Sequence, residues 1–375
     1  MKIILIGALP SSLINFRGEL IKALVRLGNQ VTVMASNATP SEIIDIEALN
    51  VRYLDYPVKR NGLSPKEDLK TLFTLYRIFK IEKPDVILSY TIKPIIWGGL
   101  AARFSGVKNF YALVTGLGFA FQKGSFLKNT LMKIIKALYR TSLKQSKGVI
   151  FQNKDNMQFF IDNKLAGSHR CSLVSGSGVD LSHFSKADLT KEFSFLLIAR
   201  LLGDKGIREY VKAGAFVKAT YPNATFNLVG PEDPSPDGIS LGEVTAWHDK
   251  GSILYHGGTD DVRPYIEQSN IFVLPSYHEG MPRTVLEAMA MGRPILTTNV
   301  PGCKETVING ENGWLVEKAN VEQLAEKMIW FIANQQEWQR MGDISHQMAI
   351  EKFDVNKVNQ ELLKIMGLIN NETTI

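Results

Sequence analysis

The sequence has few residues that could cross-link the chain or hold a metal. It contains two cysteines among 375 residues, Cys171 and Cys303, and no C-x-x-C motif. Two isolated thiols cannot form a disulfide framework, so the pattern favours a reducing, cytoplasmic environment. His248, His256 and Cys303 show no metal-ligand spacing. Disulfide-stapled domains are therefore excluded, and no metal site is predicted.

Long apolar runs are also missing. No stretch of about 18 or more uninterrupted apolar residues occurs, so no membrane-spanning helix is predicted. The apolar start, residues 3–8, is interrupted by Pro10 and followed by Arg17 and Glu19. We interpret it as a buried strand with its loop, and not as a signal peptide.

The charges are distributed unevenly along the chain. Net charge is +6, but residues 1–185 carry 25 Lys and Arg against 12 Asp and Glu, while the remainder is acidic by seven charges. A strongly basic first half indicates contact with something anionic.

The length and the periodicity predict two domains. Short β-branched runs alternate with amphipathic helices in both halves, which is typical of an α/β fold with two doubly wound, Rossmann-like domains. In such folds ligands bind beyond the carboxyl ends of the strands, so we expect the two sheets to share a cleft. Predicted elements include the strands 2–7, 193–199 and 271–274 and the helix 96–104. The predicted domains are residues 1–185, for the acceptor and the membrane, and residues 186–350, for the nucleotide sugar. Residues 351–375 are predicted to form a C-terminal helix, for which we consider a return to the first domain.

The segment Pro275–Pro294 is the most informative one. The apolar strand Ile271–Leu274 ends at Pro275, and Pro282 is well placed in the first turn of the next helix. A helix N-terminus is a natural site for a diphosphate. Glu279 precedes that terminus and Glu287 lies inside the helix, so the two carboxylates can address a sugar hydroxyl and a ribose diol. The alternative is an ordinary strand–loop–helix with two surface glutamates.

A second segment, IARLLGDKGIREY, supplies two cations. Arg200 follows a predicted strand and Lys205 precedes a predicted helix. Two fixed cations can neutralise a pyrophosphate and stabilise the charge on a departing nucleotide diphosphate. The alternative is a solvated basic loop.

These residues resemble a known family. The E-x7-E spacing, the upstream Arg200 and Lys205, and the ending NVPGCKETVINGENGWLV are similar to the family 4 retaining glycosyltransferases of the GT-B fold. The resemblance implies that Arg200 and Lys205 hold the donor diphosphate, with Glu287 on the ribose and Glu279 on the transferred sugar. It also implies further donor contacts at Gly257, Gly258 and Thr259 around the base, and at the amides of Gly280, Met281, Thr284 and Val285.

The resemblance also implies a mechanism. No D-x-D occurs, so no metal and no cofactor beyond the UDP-sugar co-substrate is expected, and Arg200, Lys205 and the helix terminus take the metal's place. Retention without an obvious nucleophile implies front-face attack, in which the leaving phosphate accepts the proton of the acceptor. Glu279 as a covalent nucleophile is the other option.

The first half resembles one bacterial subgroup. The stretches INFRGELIKAL, SYTIKPIIWG, VTGLGFAF and VGPEDPSPDG are similar to enzymes that extend undecaprenyl-diphosphate-linked saccharides, including α-1,3-N-acetylgalactosaminyltransferases. The glycine pair that many family members carry after the first strand is replaced by ALPSSLINFRG. Asn15, Arg17, Lys93 and Thr115 become candidates for acceptor or phosphate contacts.

Residues 123–147 contain seven cations and no acidic residue. A basic amphipathic helix of this kind can lie on anionic lipid, here through Lys128, Lys133, Lys136, Arg140 and Lys144. The alternative is a normal domain helix with a solvated basic face. No nucleic-acid recognition module is visible, so nucleic acid is not a predicted partner.

The combined prediction is an enzyme bound peripherally to the inner face of the cell membrane. It transfers N-acetylgalactosamine or a related hexose from a UDP-sugar to a lipid-linked saccharide, as in O-antigen or capsule synthesis. Two alternatives remain open: a UDP-N-acetylglucosamine 2-epimerase with the same fold, and a non-catalytic nucleotide-sugar-binding protein.

Overall fold

The computed structural model describes residues 1–59, 64–117, 121 and 126–370, with no side-chain description at 126–128. The chain divides into two compact units: unit 1 comprises Met1–Ser177 with Asn356–Ile375, and unit 2 comprises Gly178–Val355. The division precedes the predicted boundary at 185, because Val179 and Phe184 are buried in a core cluster of unit 2.

Unit 1 contains a seven-stranded parallel sheet with helices on both faces. Its strands are β1 (Lys2–Ile6), β2 (Gln30–Ala35), β3 (Arg52–Asp55), β4 (Val86–Tyr90), β5 (Asn109–Val114), β6 (Gly148–Phe151) and β7 (Cys171–Leu173). Its helices are α1 (Pro10–Arg26), α2 (Pro40–Glu47), α3 (Pro65–Glu82), α4 (Ile92–Ser105), α5 (Phe126–Ser142) and α6 (Lys154–Asp162). The strand order is β3-β2-β1-β4-β5-β6-β7.

The alternation of side chains along β1 separates the two helical layers of unit 1. Ile4 packs in the cluster that contains side chains of α3, α4 and α5, whereas Ile3 packs with α1 and α2. Successive strand residues point to opposite faces, so a strand covered on both sides must be apolar throughout. The strand order reverses between β1 and β4, which places the switch point of this sheet at their carboxyl ends.

Unit 2 contains a six-stranded parallel sheet. Its strands are β8 (Ser194–Ile198), β9 (Thr225–Val229), β10 (Leu254–Tyr255), β11 (Ile271–Leu274), β12 (Ile295–Thr298) and β13 (Gly313–Val316). Its helices are α7 (Ile207–Thr220), α8 (Leu241–Asp249), α9 (Arg263–Glu267), α10 (Arg283–Ala290), α11 (Val321–Ala333) and α12 (Trp338–Met348). The order β10-β9-β8-β11-β12-β13 reverses between β8 and β11. Two doubly wound sheets are thus confirmed.

The final helix returns the chain to unit 1. Helix α13 (Val355–Ile365) buries Leu362 and Leu363 in the same cluster as α1 and α2, and the Tyr111 hydroxyl donates to Met366 O at 3.0 Å. None of the helices in the described ranges combines the length and the hydropathy of a membrane-spanning segment.

Candidate active site

The switch point of the unit 2 sheet brings two loops together. The loop after β8 carries Arg200 and Lys205, and the loop after β11 carries Glu279. Gly206 makes the contact possible: its φ is +71°, and a Cβ there would lie 2.1 Å from Pro275 O. Only glycine fits such a close backbone approach in a left-handed conformation.

Lys205 and Glu279 form an ion pair in the adjoining loops. Lys205 Nζ lies 2.6 Å from Glu279 Oε1, and Ser276 Oγ donates to the same oxygen at 2.7 Å. The two charged side chains are only 17% and 14% exposed. Burial would lower the pKa of Lys205, but the charge and hydrogen bond of Glu279 raise it above its ordinary value. Lys205 is therefore a cation at neutral pH, held in a fixed position.

Arg200 pairs with Asp233, which is not among the predicted site residues. Asp233 follows β9, the neighbour of β8, and is buried. Burial would raise its pKa, but hydrogen bonds from Ser235 and the charge of Arg200 lower it below its ordinary value. A sequence signal existed, since Asp233 lies in VGPEDPSPDG, one of the stretches that carry the resemblance to the bacterial subgroup.

Glu287 lies inside α10 and pairs with Arg283. Arg283 Nε is 2.8 Å from Glu287 Oε1, and the Glu287 side chain is 8% exposed. Burial raises the pKa of Glu287 to about 7, although the positive charge of Arg283 acts to lower it. Arg283 was also missed, although its i,i+4 spacing from Glu287 is the usual spacing of a helical ion pair. The carboxylate can accept two hydroxyl hydrogen bonds once it is ionised.

The loop that carries Glu279 packs against the segment that contains Pro301 and Gly302. Glu279 N donates to Pro301 O at 3.2 Å, and a Cβ on Gly302 (φ +86°) would lie 2.7 Å from Gly280 O. Met281 and Thr284 are half-buried near the start of α10. The Val285 amide donates to Pro282 O at 3.1 Å, so it already has a partner within the first turn.

The predicted base loop lies at the same edge of the unit 2 sheet. Gly257 O accepts from Gly230 N at 2.8 Å, and a Cβ on Gly258 would lie 3.1 Å from the Pro231 Cβ. Thr259 Oγ1 donates to Asp261 O at 2.9 Å. The predicted donor contacts therefore lie after the carboxyl ends of β8, β10 and β11: Glu287 is in the second turn of α10, and the others are in loops or in first turns. Their roles stay predictions.

The predicted acceptor residues lie near the switch point of unit 1. Arg17 is buried on α1, with its guanidinium 5.2 Å from the centre of the Tyr90 ring. Lys93 Nζ is 2.8 Å from Asp68 Oδ1, so its charge is offset within unit 1. Asn15 is exposed on α1, and Thr115 is half-buried directly after β5.

The predicted membrane residues lie on α5 and, for Lys144, on the short 3₁₀ turn Leu143–Gln145 that follows it, and they divide into two groups. Lys136 Nζ donates to Asn163 Oδ1 at 2.8 Å, and Arg140 donates to Asn163 O and Lys164 O. Lys133 and Lys144 are exposed, and the side chain of Lys128 lies outside the described part. The end of α6 therefore already engages two of the five cations.

Sequence profiles of two glycosyltransferase groups match the chain. The profile described as "Glycosyl transferase 4-like" matches residues 2–153, and "Glycosyl transferases group 1" matches residues 192–334. Together the two matches cover more than three quarters of the chain and contain every predicted site residue.

Three relatives match most of the chain. The N,N'-diacetylbacillosaminyl-diphospho-undecaprenol α-1,3-N-acetylgalactosaminyltransferase of Campylobacter jejuni is 28% identical over 97% of this chain and 98% of its own length. The UDP-Gal:α-D-GlcNAc-diphosphoundecaprenol α-1,3-galactosyltransferase of Escherichia coli is 27% identical over 75% of this chain and 74% of its own. The capsular polysaccharide glycosyltransferase CapM of Staphylococcus aureus is 24% identical over 96% and 95%.

Solved structures with the same fold cover nearly the whole chain. A glycosyltransferase of Rickettsia africae has a TM-score of 0.78 at 20% identity and covers 99% of both chains. Anabaena HepE in complex with UDP-glucose has a TM-score of 0.79 at 17% identity, covering 98% of this chain and all of its own. With matching profiles in both halves and this fold, the chain belongs to the GT4-like glycosyltransferases of the GT-B fold.

Proposed function

We propose that the chain transfers N-acetylgalactosamine or a related hexose from a UDP-sugar to a saccharide carried on an undecaprenyl-diphosphate-type lipid. The observation that carries this proposal is the fixed Lys205–Glu279 pair beside Arg200 at the switch point of unit 2. The activities of the Campylobacter and Escherichia relatives support the choice of acceptor, and the HepE complex supports a UDP-sugar donor.

We assign donor binding to unit 2. Arg200 and Lys205 neutralise the diphosphate, Glu287 accepts hydrogen bonds from the ribose, and Glu279 orients Lys205 and contacts the sugar. During transfer the bond from the anomeric carbon to the diphosphate oxygen breaks, while the acceptor oxygen bonds to that carbon. Negative charge then builds on the departing phosphate, where fixed cations are most effective.

We propose retention by front-face attack. The leaving phosphate oxygen takes the acceptor proton, so no separate base is required. Glu279 is poorly suited to the alternative role of covalent nucleophile, because its Oε1 already accepts hydrogen bonds from Lys205 and Ser276. Hydrogen bonds to a carboxylate reduce its nucleophilicity.

We also propose that transfer needs no metal ion. Arg200 and Lys205 supply the positive charge that a divalent cation would otherwise bring. Among the described residues, no group of three or more His, Cys, Asp or Glu side chains is arranged to hold a metal. Transfer in the presence of excess EDTA tests this point, and loss of activity that Mg²⁺ or Mn²⁺ restores would contradict it.

We assign acceptor binding to unit 1, at Asn15, Arg17, Lys93 and Thr115. Because a lipid-linked acceptor stays in a bilayer, the enzyme must work at a membrane surface. We therefore propose peripheral attachment at the cytoplasmic face.

Incubation with radiolabelled UDP-sugars and a lipid-diphosphate saccharide tests the main proposal. We expect label in the lipid phase, and an α linkage in the product on NMR analysis. Free epimerised UDP-sugar would identify a 2-epimerase, and bound but unconverted UDP-sugar would identify a binding protein; either result would overturn the assignment.

A further inference from the structure

Arg200 is held by a carboxylate that is much more deeply buried than the guanidinium itself. The side chain of Asp233 is 6% exposed, whereas that of Arg200 is 39% exposed. Asp233 Oδ2 accepts a hydrogen bond from Arg200 Nη1. A guanidinium has several N–H donors, so this bond leaves further donors of Arg200 for a second partner. Arg200 therefore combines a buried anchor with an accessible cation.

The Asp233 carboxylate is itself fixed by the loop to which it belongs. Its other oxygen, Oδ1, accepts from the Ser235 amide at 2.9 Å. Gly238 packs closely against the same residue, since a Cβ on Gly238 would lie 2.2 Å from Asp233 O. The pKa of the carboxyl group is lowered, so Asp233 is ionised at neutral pH. Arg200 thus meets a charged oxygen that is held in one orientation.

The loop that follows β9 is hydrogen-bonded to the segment that follows β8. We call residues 230–239 the β9 loop. Leu201, which is adjacent to Arg200, bonds to both ends of this loop: Leu201 N donates to Pro231 O and Ile239 N donates to Leu201 O, each at 2.9 Å. The backbone next to Arg200 is therefore fixed by the same loop that supplies the carboxylate.

The β9 loop also holds the turn that contains Lys205. Asp237 accepts two hydrogen bonds from this turn, Gly203–Lys205. Its backbone oxygen lies 2.9 Å from Gly203 N, and its Oδ2 lies 2.8 Å from Asp204 N. One loop thus supports both cations that are predicted to bind the donor diphosphate.

The opposite side of the β9 loop contacts the predicted base loop. Gly230 N donates to Gly257 O at 2.8 Å, and the Tyr255 hydroxyl donates to Gly230 O at 3.0 Å. The sheet order explains this placement, because β9 lies between β10 and β8. The β9 loop therefore lies between the predicted contacts of the base and those of the diphosphate.

We propose that Asp233 is a positioning residue for sugar transfer, which holds the Arg200 guanidinium where the donor diphosphate binds. The inference rests on the proposed function, because it requires that Arg200 contacts this diphosphate. Asp233 acts through Arg200 and not on the donor, since its side chain is almost fully buried. Lys205 is held in the same manner by Glu279. A cation held by its own carboxylate loses little conformational freedom when the diphosphate binds.

This role predicts that the effect of Asp233 on the donor reverses when Arg200 is removed. With Arg200 present, the carboxylate fixes the guanidinium and its own charge is balanced. Without Arg200, the same carboxylate is an unpaired negative charge close to the diphosphate, which it repels. A residue that only stabilises the β9 loop would have the same effect in both cases.

Titration calorimetry of the full chain with UDP measures both effects. Asp233→Asn should raise the Kd for UDP about tenfold, because Arg200 loses a charge-assisted hydrogen bond and its fixed position. In a chain that carries Arg200→Ala, the same substitution should lower the Kd about fivefold, because it removes the unpaired charge. Asp343→Asn is the matched control, since Asp343 pairs with Lys186 at 2.7 Å on α12. It should leave both values unchanged.

Steady-state transfer assays give a second readout. Asp233→Asn should raise the KM for the UDP-sugar about tenfold, for the same loss of a charge-assisted bond. The KM for the lipid-linked saccharide should stay unchanged, because acceptor binding is assigned to unit 1. Circular dichroism verifies the fold of each variant. If Asp233→Asn does not fold, Asp233→Ala replaces it, with the same two signs expected.

Two results would overturn the positioning role. One is tighter UDP binding by Asp233→Asn while Arg200 is present, which would mean that the carboxylate only weakens the charge of Arg200. The other is an equal loss of UDP affinity with and without Arg200. If UDP binding shows the reversal but the wild-type chain transfers no sugar, the result counts against the proposed function and not against the role of Asp233.

Discussion

The Lys205 ammonium contacts Glu279 within the protein and is proposed to bind the donor diphosphate as well. Glu279 Oε1 holds it at 2.6 Å, and that oxygen also accepts from Ser276. A side chain held in this way loses little conformational freedom when a diphosphate binds. Its charge therefore acts on the departing phosphate without rearrangement, which is where such groups contribute most.

Removing this charge is expected to reduce turnover strongly. Lys205→Ala should lower kcat by about a hundredfold or more, since a fixed cation is lost where negative charge develops. Steady-state transfer assays measure the effect. Lys212→Ala removes an exposed lysine on α7 of the same unit and should leave kcat unchanged. Wild-type turnover in Lys205→Ala would refute the role.

The raised pKa of Glu287 predicts a pH-dependent donor affinity. Burial raises this pKa to about 7, so the carboxyl group is ionised above that pH and protonated below it. The ionised group accepts stronger, charge-assisted hydrogen bonds from the ribose hydroxyls than the protonated group does. We expect the KM for the UDP-sugar to increase as the pH falls below 7. Glu287→Gln should increase the KM at high pH and flatten this profile; an unchanged profile would contradict the assignment.

The same pKa affects stability in the opposite direction. The folded-state value lies above the ordinary value of 4.5, so the folded chain retains a proton that the unfolded chain releases. The retained proton therefore stabilises the folded chain. Its contribution to the free energy of unfolding is fully present below pH 4.5 and is lost as the pH rises through about 7. The pH that favours donor binding is thus the one at which Glu287 costs stability.

At the scale of elements, the loops after β8 and β11 depend on their backbone contact. Gly206→Ala would place a Cβ 2.1 Å from Pro275 O and move Lys205 away from Glu279. We expect a large loss of kcat in a chain that still folds. Gly251→Ala is the matched control, because Gly251 has a similar φ of +69° with open space around it. It should cost about 1–2 kcal/mol of stability, because alanine is strained at this φ, and leave kcat unchanged.

Strongly patterned elements were predictable from the sequence. The predicted strands 193–199 and 271–274 correspond to β8 and β11, because a strand buried on both faces is a continuous apolar run. The predicted helix 96–104 starts earlier in the structure, at Ile92. The polar residues Thr91 and Lys93 interrupt the apolar pattern there, so periodicity does not predict the first turn. Helix α2 was not predicted, although Thr39 and Glu42 form a capping box.

At the scale of the whole molecule, the chain passes between the units twice. It leaves unit 1 after Ser177 and returns after Val355. Inside unit 2 the two crossing segments pair, with Val179 N donating to Phe353 O at 2.8 Å and Val355 N to Val179 O at 3.0 Å. The C-terminal helix is therefore an integral part of unit 1 and not an appendage.

Truncation tests this role of the C-terminal helix. Ending the chain at Val355 removes four nearly fully buried side chains from unit 1: Val358, Leu362, Leu363 and Met366. Each buried apolar side chain contributes about 1.5–3 kcal/mol, so unit 1 should unfold or aggregate. Ending the chain at Asn370 keeps all four and should preserve stability in a urea titration. A stable, soluble chain ending at Val355 would contradict the role.

The sequence by itself determined the fold class, the family and the cations and carboxylates of the donor site, because these depend on local periodicity and short motifs. Only the tertiary structure decided the partners of these groups. Arg200 with Asp233 and Lys205 with Glu279 are separated by 33 and 74 residues, and no local pattern specifies such pairs.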